Sequence, residues 1–239
     1  LQNTGARDVW LGLDQLAAAN VAGNLAHSTA FGVAGTSAHT AFNTGVQYIT
    51  PRVNGLQGSV AMSRNNTEQT GAVTTKSAQG YSMGGSYVAG KFSAGISYSD
   101  ADTVTTAAAV NATAKTTTGG AMYDFGVARV AYIYTKLDQS DAASAASLQN
   151  IDRTSHSFSA SAPISAKTVL RAGYGFGKYQ IGGDSAFKAD IKGMQVAVNH
   201  NLSKRTMAYA IYGEQTRERA AGASKLKDQE YSVGIRHSF

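Results

Sequence analysis

The chain of 239 residues has no cysteine, only two prolines and few charges. The missing cysteine excludes a disulfide framework and any thiolate metal site. Charged residues make up 15% of the chain, against the roughly 25% usual for soluble domains. No apolar run approaches the ~18 residues of a membrane-spanning helix. The five histidines include no pair at i, i+4, so no metal site is expected, and nothing implies a cofactor. No basic stretch followed by an apolar one opens the chain, so a secretory leader is expected to have been removed. Lys and Arg exceed Asp and Glu by six, but the basic residues are dispersed, Lys204-Arg205 being the longest cluster. That argues against nucleic acid as a partner. With 12 Tyr and 8 Phe the chain is too aromatic to stay disordered.

What is present is alternation with a period of two, the mark of a strand with two unlike faces. Between Lys91 and Ser99, Phe92, Ala94, Ile96 and Tyr98 alternate with Ser93, Gly95 and Ser97. His156, Phe158, Ala160, Ala162 and Ile164 alternate with serines, and Met194, Val196, Val198, His200 and Leu202 with Gln195, Ala197, Asn199 and Asn201. About twelve such segments are expected: near 7–13, 41–50, 56–65, 79–89, 91–101, 115–125, 128–138, 154–163, 167–178, 190–202, 204–215 and 228–239. Each is about ten residues, the length a tilted strand needs to cross a bilayer. Short and long connectors take turns, as in a barrel with tight turns at one rim and long loops at the other. Both prolines fall in short turns. The 27-residue connector 14–40 breaks the rhythm, and a loop of that length implies a task.

The faces can be assigned in two ways. A soluble β-sandwich would turn the apolar face inward, but its exterior would then be Ser, Thr, Gly, Gln and Asn, with fewer charges than soluble surfaces carry. With the apolar face toward lipid and the small polar residues toward a wet interior, the composition is accounted for. Tyr48, Tyr87, Phe92, Tyr98, Tyr123, Phe125, Tyr231 and Phe239 gather toward segment ends, where interfacial aromatic belts sit. The expected fold is all-β, a transmembrane antiparallel up-and-down β-barrel.

The chain closes on Tyr231-Ser-Val-Gly-Ile-Arg-His-Ser-Phe239. Tyr231, Val233, Ile235 and Phe239 in this pattern resemble the C-terminal insertion signal of bacterial outer-membrane barrels. Asn199–Thr206 followed by Met207–Tyr212 resembles the penultimate hairpin of Gram-negative general porins, and Gly45–Gly55, with Tyr48 and Thr50-Pro51, resembles the strand and turn after the porin constriction loop. Together these resemble the beta-proteobacterial branch of trimeric general porins, well over 41–239 and loosely over 7–40. The resemblance implies one barrel domain, 1–239, with a partial strand and a constriction loop in 1–40 and the last eleven strands in 41–239. About twelve of the family's sixteen strands would be visible, and four N-terminal strands would lie ahead of residue 1. It also implies a bacterial outer-membrane location, homotrimers in outer-membrane lipid, and a channel for small hydrophilic solutes and ions.

Within that frame parity turns Asp124, Arg129 and Arg171 toward the pore, with Lys204 and Arg236 near the turn-side rim and Glu214 near the loop rim. Inward basic residues outnumber inward acids, which favours small anions. Arg171 lies deepest in its segment and is the leading constriction residue. The constriction loop offers Asp14, His27 and His39, fewer acids than porins usually carry there, and Ala41 stands where a basic residue is common. Two other readings weigh less. An autotransporter-type translocator needs a helix through the lumen, and 14–30 is broken by glycine. An outer-membrane phospholipase-like enzyme needs a serine paired with a histidine, and His156 and Ser157 point to opposite faces. Gly173-Tyr-Gly-Phe-Gly177 lacks phosphate-loop spacing and reads as glycines leaving room on one strand face. No enzyme activity is expected.

Overall fold

The computed structural model describes residues 2–3, 13, 15–16, 41–42, 45–69, 74–105, 110–141, 150–181, 188–219 and 225–239. It is all-β. Two short strands, β1 (Gln2–Asn3) and β2 (Ala41–Phe42), pair with each other. Eleven others form one antiparallel sheet in which every strand pairs with its sequence neighbours. These are β3 (Gly45–Ile49), β4 (Leu56–Gln69), β5 (Thr74–Ala89), β6 (Phe92–Thr105), β7 (Val110–Asp124) and β8 (Arg129–Asp141), then β9 (Asn150–Pro163), β10 (Thr168–Ile181), β11 (Lys188–Asn201), β12 (Thr206–Arg219) and β13 (Lys225–His237). β3 and β13 are the sheet's two ends among the described residues.

The short connectors fall as expected. Gly90 and Gly126 adopt positive φ in the β5–β6 and β7–β8 turns, and Asn54-Gly55 does so before β4. In two-residue turns such backbone matches the right-handed twist of the flanking strands. Pro163 is the last residue of β9 rather than part of the turn after it. Two expectations change. Residues 41–50 divide into β2 and β3, and Leu13 lies outside any strand, the rest of 7–12 falling outside the described residues. From β4 onward the strands run 13 to 16 residues, not ten. The extra length lies on the long-loop side, where polar and charged residues enter both faces. There the alternation disappears while the hydrogen-bond ladder continues.

Burial is inverted relative to a water-soluble sheet. On the polar face Ser99, Thr118 and Gln195 are fully buried, whereas on the other face Ile96 is 63% and Val233 81% exposed. An exposed apolar patch this continuous is stable only against lipid or a partner. Rings line its loop-side border: Tyr132 lies 4.9 Å from Phe158, and His156 stacks on Phe176 at 4.9 Å. Tyr98 Oη donates to Asp100 at 3.1 Å and Tyr212 Oη to Glu214 at 2.9 Å, each phenol reaching from the last ring to the first carboxylate beyond it.

That border slides along the register. On β6 the first charge past the rings is Asp100, whose row runs through Lys115, Asp138, Asp152 and Gln180 to Lys188. On β11 the first charge is already Lys192, four residues nearer the turns. Lys192 shares a row with Thr216, yet on β12 the first charge is Glu214, two residues nearer again.

Candidate functional site

The site is built on the polar face. Asp124, Arg129, Ser161, Arg171, Ala197 and Ile211 occupy one register row across β7 to β12. Alternation therefore carries Asp124, Arg129 and Arg171 to the face opposite Tyr123, Val130 and Leu170. Arg129 Nε donates to Asp124 at 2.9 Å, across the tight turn that joins their strands. The pair is neutral as a unit. Arg171 is the fourth residue of β10, near the turns rather than deep in the strand, because β10 extends to Ile181.

Residues 13, 15 and 16 lie buried against this face. The Gln15 backbone N–H donates to Ser159 Oγ at 3.1 Å, and Ser161 Oγ donates to Gln15 Oε1 at 2.9 Å. Arg171 Nη1 donates to the Gln15 carbonyl. Gln15 Nε2 donates to the Leu13 carbonyl at 2.9 Å, which folds the amide back on its own segment. Two glycines make sockets for the leucines. A Cβ on Gly173 would stand 2.6 Å from Leu16 Cδ1, and one on Gly120 would meet Leu13 Cδ1 at 3.0 Å and the Tyr132 carbonyl at 2.4 Å. The glycine run in β10 thus makes room on the polar face, as its spacing suggested. Gln15, Ser159, Ser161 and the two sockets are contacts that sequence reasoning missed. Ser-Ala alternation marks a face but not what docks on it.

Glu214 is a correction. It shares a row with Met194 and Gln229 and a face with Tyr212 and Tyr231, so it lies on the apolar face, not toward the pore. There it pairs with Lys227 at 2.9 Å. Its charge marks the edge of the apolar band, and a charge just past that edge is not a sign of the inner face. Arg236 shares the polar face with Ser232 and Gly234, and Lys204 is exposed in the turn between β11 and β12. Asp14, His27 and His39 lie outside the described residues. Tyr231, Val233 and Ile235 stand on the apolar face, and Phe239, two residues past β13, lies edge-on to His237 at 4.9 Å.

Further polar-face charges come from Arg153, Arg217, Asp228 and Glu230, with Arg217 and Asp228 3.7 Å apart. The alternation does not reveal these four, because Arg153 and Arg217 lie beyond its loop-side ends in β9 and β12, and Asp228 and Glu230 sit among polar residues where it fades in β13. His156 lies on the apolar face with its Nδ1 2.8 Å from Tyr132 Oη, and Ser155 and Ser157 are buried on the other face. Among the described residues no cluster of His, Asp and Glu could hold a metal ion.

A sheet of long antiparallel strands with an exposed apolar face, interfacial rings and a buried polar face bearing a docked segment defines the wall of a membrane-embedded β-protein. The chain belongs to the Gram-negative porin family, whose sequence profile matches residues 2–220. This places it in the bacterial outer membrane. It is similar in fold to the anion-selective porin from Comamonas acidovorans, with a TM-score of 0.67 and 20% identity over 90% of this chain and 65% of that one. The chain therefore spans just under two thirds of that porin's length. It is also similar to OmpT, an outer-membrane protein of Vibrio cholerae, with a TM-score of 0.70 and 14% identity over 99% of this chain and 74% of that one. The trimer form of OmpT matches at a TM-score of 0.63 and 14% identity, over 85% of this chain and 67% of that one. No curated protein matches this chain.

Proposed function

We infer that the chain forms the wall of a general diffusion porin that passes small hydrophilic solutes and ions and prefers anions. The carrying observation is the charge of the polar face. Among strand residues with described side chains it bears five arginines (129, 153, 171, 217 and 236) against three acids (124, 228 and 230). Fixed positive charge lining a narrow passage raises the local concentration of anions. The segment at 13–16, carried on Arg171 and the β9 serines, is the start of the constriction, and 1–239 acts as one barrel domain. Assembly is as a homotrimer in outer-membrane lipid, supported by the trimer form of OmpT. The role is passive and needs no cofactor or catalytic residue.

The test is planar-bilayer recording across a KCl gradient. Stepwise conductance with an anion-selective reversal potential is the expected result. Steps with cation selectivity would overturn the charge argument and keep the pore. Membrane-inserted protein without steps would overturn open diffusion.

A further inference from the structure

The excess positive charge of the described sheet lies at one end of it. On the polar face the turn-side end holds Arg129, Arg171 and Arg236 against Asp124. The loop-side end of the same face holds Arg153 and Arg217 against Asp228 and Glu230, and balances. The turn tips add to the first group. Arg52, Lys91, Lys167, Lys204 and Arg205 stand exposed in four of the five turns, and none of the five turns contains an acid. Arg52 donates to the Gly55 carbonyl at 3.1 Å and to Gln57 Oε1 at 2.9 Å, both neutral, so its charge is kept. The Lys91 carbonyl accepts from the Asp124 N–H at 2.9 Å, but the Asp124 carboxylate is bound to Arg129. With Asp124 counted, the turn-side end carries eight basic residues against one acid. Beyond the rings, ten basic residues with described side chains meet nine acids. In the sequence these turn residues are scattered, and the up-and-down order of the strands brings them to one rim.

Successive turn tips are two inter-strand steps apart, about 10 Å. The screening length is about 10 Å at 0.1 M salt and about 3 Å at 1 M. In dilute salt the fields of neighbouring tips merge into one positive rim. In concentrated salt each charge is screened before it reaches the next. The rim answers to the solution on its own side, while the solution on the loop side meets a nearly balanced mouth. We propose that the anion preference of the channel is one-sided. It is set at the turn-side mouth, which in outer-membrane barrels opens to the periplasm, strong when that side is dilute and weak when it is concentrated. This one-sidedness rests on the chain forming the wall of an open channel. The loop-side mouth takes in solutes of either sign, and sorting by charge occurs at the far end of the passage.

The test is planar-bilayer recording of the refolded porin with about 0.1 M KCl against about 1 M KCl, applied in both directions. The sides are identified with A166C. Ala166 is exposed in the β9–β10 turn and the chain has no other cysteine, so a membrane-impermeant anionic thiol reagent acts only from the turn-side chamber. The chloride-over-potassium permeability ratio is expected to be at least about twofold higher with the dilute solution on the turn side. Raising both solutions about threefold is expected to close most of that gap in the wild-type protein, by screening alone. K91Q/K167Q/K204Q/R205Q spares Arg52, which ties its own turn, and is expected to lose at least about half of the gap. K136Q/D138N, a balanced pair at the loop-side rim, keeps it. Equal ratios in the two directions, a higher ratio with the dilute solution on the loop side, a gap untouched by salt or by the quadruple variant, or its loss in K136Q/D138N would each overturn the proposal. Absence of conductance steps overturns the porin reading and this proposal with it, whereas steps with equal ratios overturn this proposal alone.

Discussion

Arg171 and Arg129 stand in one row of one face, yet their surroundings predict different roles. Arg129 is half of a neutral, solvent-screened pair with Asp124. Removing both charges together, as D124N/R129Q, is expected to leave the reversal potential in a KCl gradient unchanged. R171Q removes a charge that reaches over the Gln15 carbonyl, and the chloride preference measured in the same gradient is expected to fall. The Gln15 contacts give a second pair of predictions. S161A deprives the buried Gln15 Oε1 of its donor and is expected to weaken docking of the segment by about 1–3 kcal/mol. G173L drives side-chain atoms into the space of Leu16 and is expected to undock the segment, raising single-channel conductance if the segment narrows the pore. Hydrogen exchange at residues 13–16 reports docking in both variants, and unchanged protection in G173L would refute the socket.

At the scale of the strand, alternation made most of the sheet legible. β9 and β11 were assigned face by face from Phe158, Ala160, Val196 and Val198 because one face touches lipid and the other does not, and the residue types had to differ. Legibility ended where that contrast ended. Beyond Phe176 the outward residues of β10, Lys178 and Gln180, are polar, so the contrast between the faces fades and the expected segment stops at 178, short of Ile181. Glu214 was misplaced for the same reason: on a strand leaving the membrane a carboxylate suits either face. The docked segment was illegible on other grounds, since its contacts with Ser159, Ser161 and Arg171 join residues 144 to 156 positions apart. Such contacts leave no mark in a local pattern. The face assignment itself predicts a sharp asymmetry between neighbours. V196K is expected to destabilise the protein in lipid vesicles by about 2–4 kcal/mol in urea titrations, the penalty of a lysine on the lipid face near mid-bilayer. A197S, one residue along and on the polar face, puts a hydroxyl rather than a charge beside Ile211 and is expected to cost less, at most about 1–3 kcal/mol if that hydroxyl is left unpaired.

For the whole molecule, the sliding border of the apolar face has a geometric consequence. From β6 to β12, six strands on, the first charge past the rings shifts by six residues relative to the register, four by β11 and two more by β12. Averaged over the six steps that is one residue of about 3.3 Å for each inter-strand step of about 4.8 Å, although Asp152 of β9 still shares the row of Asp100 and Lys227 of β13 steps two residues back. A water surface is level, so a border that descends a ladder at this rate means the ladder leans. The ratio gives a lean of about 35° from the membrane normal, at the lower end of the range for outer-membrane barrels. Polarised infrared dichroism of the protein in oriented bilayers is expected to return this angle, and upright strands would contradict it. From Ile164, the first residue past β9, to His156 the outward run covers about 26 Å, which at that lean spans about 21 Å of depth, close to the thickness of an outer-membrane apolar belt. The placement of tyrosines and first charges along successive strands thus acts as a spirit level written into the chain, fixing how the sheet stands in the membrane before any loop or partner touches it.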